Sequence, residues 1–173
     1  MPEARRIVFR MLECDKPIIA RVNGHAVGLG ATVALLCDII IAAEHAKIGD
    51  PHVNAGLVAG DGGALIWPQQ IGFARAKEYL FTGDLMTATE AERVGLINHV
   101  VPAEQLDELH ARHARVHARM TTEERGRRTL VGRTLTKPYL KGRLTDRNAS
   151  ACLEQKEGST TTLLKGETRP TEP

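Results

Sequence analysis

Residues 16–38 read KPIIARVNGHAVGLGATVALLCD, and this stretch decides the fold. Pro17 opens a short β-branched run that ends in Asn23-Gly24, a pattern that predicts a strand entering a turn. The compact apolar segment 31–37 predicts a buried helix. After Asp38 a second β-branched run, IIIAA, predicts a buried strand.

The glycines between strand and helix indicate a ligand site. Gly28 and Gly30 flank Leu29 at the predicted start of the helix, where amides lack intrahelical partners and the backbone carries partial positive charge. Such a position suits an oxyanion or a phosphate, and the glycines let a ligand approach the Leu29 N–H. A dinucleotide fingerprint would need glycine where Val33 stands, so that interpretation is weak.

Outside this stretch the pattern alternates strands and helices, which predicts an α/β fold. A capping box formed by Thr87 and Glu90 predicts the start of one helix. Pro68 is expected to lie at or near a break in another. The further predicted elements are a helix over 3–13, a loop-rich stretch over 47–63, helices over 64–80 and 104–120, and a strand at INHVV.

Composition indicates one globular unit in a reducing compartment. The chain has 173 residues, of which 42% are hydrophobic and 25% charged. The 3 cysteines show no CxxC spacing, which argues against a disulfide framework and a zinc site. The N-terminus lacks an apolar signal segment, and no apolar run is long enough for a bilayer. We therefore expect a cytoplasmic protein without membrane association.

Three consecutive blocks carry a specific resemblance. Residues 16–42 resemble the crotonase signature KPxIAxVxGxAxGGGxxLALxCDxxIA, and AKIGDPHVNAGLVAGDGG resembles AxFGxPExxLGxxPGxGG. The block IGFARAKEYLFTGDLMTATEAERVGLINHVVP is similar to IGxxxAxexxLTGxxxxAxeAxxxGLVxxVVP. On residues ~16–120 the chain is thus identified as a member of the crotonase superfamily, the enoyl-CoA hydratase/isomerase family.

The resemblance implies a fold and a chemistry. The fold is a crotonase-like spiral of ββα turns, with a partial core over 1–103 and a C-terminal helical region over 104–173 that forms homotrimers or hexamers. The substrate is an acyl-CoA thioester, whose coenzyme A needs no separate cofactor. Two backbone amides hold its oxygen as the enolate forms, and one of them is that of Leu29, with Gly28, Gly30 and Thr32 against the substrate. The structural alternative is that these glycines only allow close packing of strand and helix.

The chain departs from its family at the acid–base positions. Hydratases of the family use two glutamates, and Thr32 and His52 stand at those positions. A hydroxyl is no general base near neutral pH, so His52, with Asp61 nine residues on, is the candidate acid–base pair. This pair resembles the β-diketone hydrolases of the superfamily, which break a carbon–carbon bond through an enolate. Alternatively, His52 only ends a strand and Asp61 only caps the next helix.

The resemblance also raises expectations about the ends of the chain. The family's FSAGxDL segment, with the first strands and the second amide donor, has no counterpart here, so we expect low activity and apolar surface where those strands would pair. Lys165 is a candidate contact to the CoA phosphates.

The Arg- and His-rich stretch 110–147 is typical of a solvated helical face, and the alternative is a patch that attracts a phosphorylated cofactor, nucleic acid or an acidic partner. His110, His113 and His117 share a helical face without carboxylates, so no metal site is predicted. A binding or oligomerisation module is the remaining alternative. The scarcity of aromatic residues argues against a nucleic-acid partner.

Overall fold

A computed structural model of the chain describes residues 2–14 and 16–118. The helices are α1 (Pro2–Glu13), α2 (Leu29–Leu35), α3 (Gly63–Thr82), α4 (Ala88–Arg93) and α5 (Leu106–Ala118), with 3-10 turns at Pro51–Ala55 and Ala103–Gln105. The strands are β1 (Ile19–Val22), β2 (Ala26–Val27), β3 (Ile39–Ala43), β4 (Lys47–Gly49), β5 (Met86–Thr87) and β6 (His99–Val101).

The strands form two three-stranded sheets, and the chain steps from one to the other in each turn of the fold. One sheet has the order β1-β3-β6 and is parallel throughout, with Ile19 opposite Ile39 and Ile41 opposite His99. In the other, β2 pairs with β4 in parallel and β4 with β5 antiparallel. Of the two strands that follow α1, β1 lies in the first sheet and β2 in the second. The two strands that follow α2 are divided in the same way, with β3 in the first sheet and β4 in the second. This arrangement confirms the predicted spiral of ββα turns.

Small aliphatic side chains fill most of the core, as the low aromatic content predicts. Trp67 of α3 is fully buried in the larger cluster, against which α1 packs Val8 and Leu12. A smaller cluster joins Leu106 of α5 to Ile41 and Ala43 of β3, so the start of α5 covers the parallel sheet. Residues 119–173 lie outside the described part of the chain, and the division into two regions stays a prediction.

Three predicted elements differ in detail from those observed. The irregularity in α3 lies at Gly72 rather than at Pro68, because Gly72 adopts φ 79°, ψ 160°, a left-handed conformation that favours glycine. The stretch predicted as loop contains β4 and a 3-10 turn. The helix predicted from residue 104 begins at Leu106 after a 3-10 turn. The capping box is confirmed, since the Thr87 hydroxyl accepts from the Glu90 N–H at 3.2 Å.

Apolar surface lies beside β1, whose one sheet neighbour among the described residues is β3. A groove of about 380 Å³ runs between α1 and the start of this strand and is lined by Arg6, Ile7, Arg10, Met11, Cys14 and Ile18. None of the helices in the described part of the chain combines the length and apolar composition needed to cross a bilayer.

Candidate active site

The backbone of Gly28 and Leu29 forms the first wall of the site. Gly28 ends β2 by donating its N–H to the Gly49 carbonyl at 2.9 Å, and its own carbonyl accepts from the Thr32 N–H at 3.0 Å. Its torsion angles of φ 56° and ψ −123° turn the chain directly from strand into helix, a conformation that favours glycine. Leu29 therefore contributes the first amide of α2. Within residues 2–14 and 16–118 its N–H donates to no acceptor.

His52 lies over this turn. Its side chain is partly buried, with an exposure of 21%. The residue belongs to the 3-10 turn that follows β4. A Cβ placed on Gly28 would lie 3.4 Å from Cε1 of His52 and 3.9 Å from Nε2. The imidazole therefore packs over Gly28, the residue before Leu29, on the side that the glycine leaves open.

Asp61 borders the site from the N-terminal end of α3. Its Oδ1 accepts from the Thr32 hydroxyl at 3.2 Å and from the Gly63 N–H at 3.3 Å, while its Oδ2 lies 3.9 Å from Nε2 of His52. That last distance is an ion-pair distance but too long for a hydrogen bond, and Oδ2 is buried without a hydrogen-bond partner. Thr32 is fully buried, so its hydroxyl serves this carboxylate.

A second carboxylate, that of Asp50, meets the other nitrogen of His52. Oδ1 of Asp50 shares a hydrogen bond with Nδ1 of His52, and Oδ2 is buried without a partner. Burial raises the pKa of Asp50, an effect opposed by the hydrogen bond from His52 and reinforced by the negative charge of Asp61. His52 is therefore enclosed by two buried carboxylates, one at each ring nitrogen.

Asp50, His52 and Asp61 also form a group whose oxygen and nitrogen atoms lie within 4.8 Å of one another. Carboxylate and imidazole together suit divalent cations. Because Nδ1 of His52 is engaged with Asp50, the observed geometry is that of a hydrogen-bonded Asp50–His52 pair with the Asp61 carboxylate 3.9 Å from Nε2. The absence of a resident metal stays a prediction.

The structure brings together most of the residues singled out from the sequence. Leu29, Gly28, His52, Asp61 and Thr32 meet within one site, whereas Gly30 is exposed and a Cβ there would meet nothing within 4 Å. The catalytic and substrate-binding roles assigned to them stay predictions.

The structural alternatives for His52 and Asp61 can be compared with the same geometry. His52 does not end a strand but lies in a 3-10 turn. Asp61 bonds the first amide of α3, as a capping residue would, and faces His52 as well. The capping interpretation and the site interpretation are therefore compatible.

Two functional candidates lie elsewhere. Lys165 is outside the described residues. His113 stacks on His99 of β6 with ring centroids 5.4 Å apart, so its ring lies against the parallel sheet. The side chain of His117, the third member of the histidine set, also lies outside the described part.

Sequence reasoning missed Asp50. The available signal was its spacing in Asp50-Pro51-His52, two residues before a candidate acid–base histidine. Spacing alone did not show that the proline-initiated 3-10 turn would fold the imidazole back onto this carboxylate. Gly63 was missed for the same reason, since its contact with Asp50 depends on how α3 packs.

Comparison with known proteins agrees with this architecture. The family model described as enoyl-CoA hydratase/isomerase matches residues 3–162. A crotonyl-CoA hydratase from Syntrophomonas wolfei is 47% identical over 100 residues, which are 57% of this chain and 38% of that protein. A probable enoyl-CoA hydratase from Mycobacterium bovis is 37% identical over 147 residues, which are 82% of this chain and 57% of that protein.

A solved structure shows the same fold. A probable enoyl-CoA hydratase/isomerase from Mycobacterium abscessus superimposes with a TM-score of 0.72 at 28% identity, covering 82% of this chain and 57% of that one. Fold and sequence together define a crotonase-type α/β protein. The chain belongs to the enoyl-CoA hydratase/isomerase family, and it spans roughly half the length of the relatives it matches.

Proposed function

We propose that the chain carries the enolate-forming site of an acyl-CoA enzyme, in which the Leu29 N–H holds the thioester oxygen and His52 moves the proton. The observation that carries the proposal is the position of the imidazole over Gly28, the residue that precedes the first amide of α2. A donor and a base must converge on one small region to form an enolate. The thioester oxygen gains negative charge as the base removes a proton, either from the carbon beside the carbonyl or from the water that adds to the conjugated double bond.

The chain's own residues divide this work. The Leu29 amide is unengaged within the described residues, and as the first amide of α2 it stabilises negative charge on an oxygen placed against it. Nε2 of His52 faces the gap between Gly28 and Asp61, where it can take a proton from water or from substrate carbon. Thr32 fixes Asp61, and Asp61 stabilises the imidazolium through its charge at 3.9 Å.

The amide can be tested by one atom's removal. Leu29→Pro deletes the N–H at the first position of a helix, where proline is favoured, and Leu29→Ala removes the side chain but keeps the amide. Turnover of enoyl-CoA esters, followed by loss of the conjugated thioester, should fall ~10²–10³-fold in Leu29→Pro. Leu29→Ala should retain most of the activity.

Equal turnover in the two Leu29 variants would refute the role of the amide. Calorimetry with a saturated acyl-CoA adds a measurement of binding that does not depend on turnover. A chain that neither binds nor converts CoA esters would refute the proposal as a whole.

A second candidate function is hydrolysis of a carbon–carbon bond between two carbonyl groups, favoured by the contact of His52 with Asp61. His52 would take a proton from water, and the resulting hydroxide would add to one carbonyl. The carbon–carbon bond would then break toward the other carbonyl, whose enolate oxygen rests on the Leu29 amide. The imidazolium would return its proton to the enolate carbon, leaving an acid and a ketone or thioester.

The two candidates differ in the substrate and share the base. A 1,3-diketone and an enoyl-CoA ester offered in parallel distinguish them by which is consumed. His52→Gln should abolish turnover of the true substrate, whereas His45→Gln, which changes an exposed histidine bonded to the Asn23 carbonyl, should not. Unchanged turnover in His52→Gln would exclude both mechanisms.

A further inference from the structure

Asp50 is buried between His52 and the start of α3. It follows β4 immediately, it is 1% exposed, and its carboxylate lies beneath the first turn of α3. A Cβ on Gly63 would lie 2.0 Å from Oδ2 of Asp50, so the glycine is what lets the carboxylate occupy this position. Oδ2 is held against the helix backbone and Oδ1 is directed to the imidazole.

The two carboxylates around His52 have different relations to it. Asp50 is hydrogen-bonded to Nδ1 of His52. Oδ2 of Asp61 lies 3.9 Å from Nε2, and its Oδ1 accepts hydrogen bonds from Thr32 and Gly63 instead. Because an ionised carboxylate only accepts hydrogen bonds, the partner of Asp50 must be an Nδ1–H. The other nitrogen then carries the lone pair and faces the gap beside Gly28.

We propose that Asp50 is a positioning residue that fixes His52 in the tautomer with the proton on Nδ1 and the lone pair on Nε2, directed at the candidate site. The catalytic role of this tautomer rests on the proposed function, in which Nε2 is the base. The tautomer itself can be measured without any enzymatic activity. The competing arrangement has the proton on Asp50, which would then donate to Nδ1 and place the imidazole proton on Nε2.

An isosteric substitution separates the two arrangements. In Asp50→Asn, an amide NH₂ turned toward the backbone of Gly63 would be buried without an acceptor, a cost of ~1–3 kcal/mol. The NH₂ is therefore expected to donate to Nδ1 and drive the imidazole proton to Nε2, the wrong tautomer for a base at that nitrogen. Asp61→Asn is the matched control, since Asp61 is too distant from His52 for a hydrogen bond.

The experiment is ¹⁵N NMR of the full chain with labelled histidine, at a pH where the imidazole is neutral. His52→Gln assigns the resonances, and the remaining spectrum reports whether each variant is folded. We expect Nδ1–H in the wild type and in Asp61→Asn, and Nε2–H in Asp50→Asn. A wild-type ring protonated on Nε2, or a tautomer unchanged by Asp50→Asn, would overturn the proposal.

A kinetic comparison keeps the two proposals distinguishable. If Nε2 is the base, Asp50→Asn should lower kcat by between ~10- and ~10⁴-fold with little change in KM. A tautomer that switches as expected while turnover stays constant would refute the role of His52 in catalysis and leave the role of Asp50 intact.

Discussion

Asp50 and Gly63 meet at a point where no side chain other than hydrogen fits, because a Cβ on Gly63 would lie 2.0 Å from Oδ2 of Asp50. The contact joins Asp50, directly after β4, to the first residue of α3, and Asp61 lies two residues before that helix. The position of the Asp50 carboxylate, and through it that of the bonded His52, therefore depends on a glycine at the start of α3.

Gly63→Ala tests this contact. The added methyl must displace Asp50 or the start of α3, and overpacking of this kind costs about 1–3 kcal/mol in the free energy of unfolding. Urea denaturation measures the change. Gly30→Ala is the control, because a Cβ there meets nothing within 4 Å and Gly30 lies in a helix, so its effect should range from neutral to ~1 kcal/mol of stabilisation. Similar losses in both variants would contradict the assigned contact.

The pKa of Asp50 predicts a dependence of stability on pH. Burial raises this pKa above its ordinary value of 3.8, so the folded chain binds the proton more tightly than the unfolded chain. The contribution of Asp50 to the free energy of unfolding is thus present below 3.8 and lost as the pH rises through the folded pKa. The Asn side chain does not titrate, so Asp50→Asn does not lose stability in this way as the pH rises. Its free energy of unfolding relative to the wild type, measured by urea titration, should therefore increase from acid to neutral pH.

Glu90→Gln provides a control of opposite sign. The hydrogen bond from Arg93 lowers the pKa of Glu90, so this carboxylate contributes stability above its unfolded pKa that is lost at lower pH. The stability of Glu90→Gln relative to the wild type should therefore decrease toward neutral pH. A decrease for Asp50→Asn as well would show that Asp50 is not the desolvated carboxylate described above.

The bond between Thr32 and Asp61 predicts energetic coupling. Thr32→Val removes the hydroxyl that donates to Oδ1 but keeps the shape of the side chain, and the loss should cost about 1–3 kcal/mol. In a double-mutant cycle with Asp61→Ala, which removes the accepting oxygen, the coupling should exceed ~0.5 kcal/mol. Thr87 shares no hydrogen bond with Asp61. In a cycle that combines Thr87→Ala with the same Asp61 variant, the changes in the free energy of unfolding should therefore be additive. Additivity in both cycles would contradict the buried bond.

The N-cap of α4 makes a prediction independent of the site. The Thr87 hydroxyl accepts from the Glu90 N–H, and Thr87→Ala should destabilise the chain by ~0.5–2 kcal/mol. Thr89→Ala alters an exposed threonine inside the same helix and should change stability by less than ~0.5 kcal/mol. Thermal unfolding of the two variants compares them directly, and an equal effect would argue against the cap.

Local patterns in the sequence determined the elements and the family. The β-branched runs at IIARV and IIIAA, the capping box at Thr87 and the glycines around Leu29 each act within a few residues, so each is legible without tertiary information. The break in α3 shows the limit of such patterns. Pro68 is accommodated within the helix, while Gly72 takes the left-handed conformation, and residue identity alone favours the proline.

Tertiary structure decided the chemistry around His52. The sequence paired His52 with Asp61, and the two lie 3.9 Å apart, but the hydrogen-bonded partner is Asp50. That partnership depends on the 3-10 turn that folds the ring back and on α3 packing Gly63 against the carboxylate. Side-chain contacts of this kind depend on packing between elements distant along the chain, which spacing does not encode.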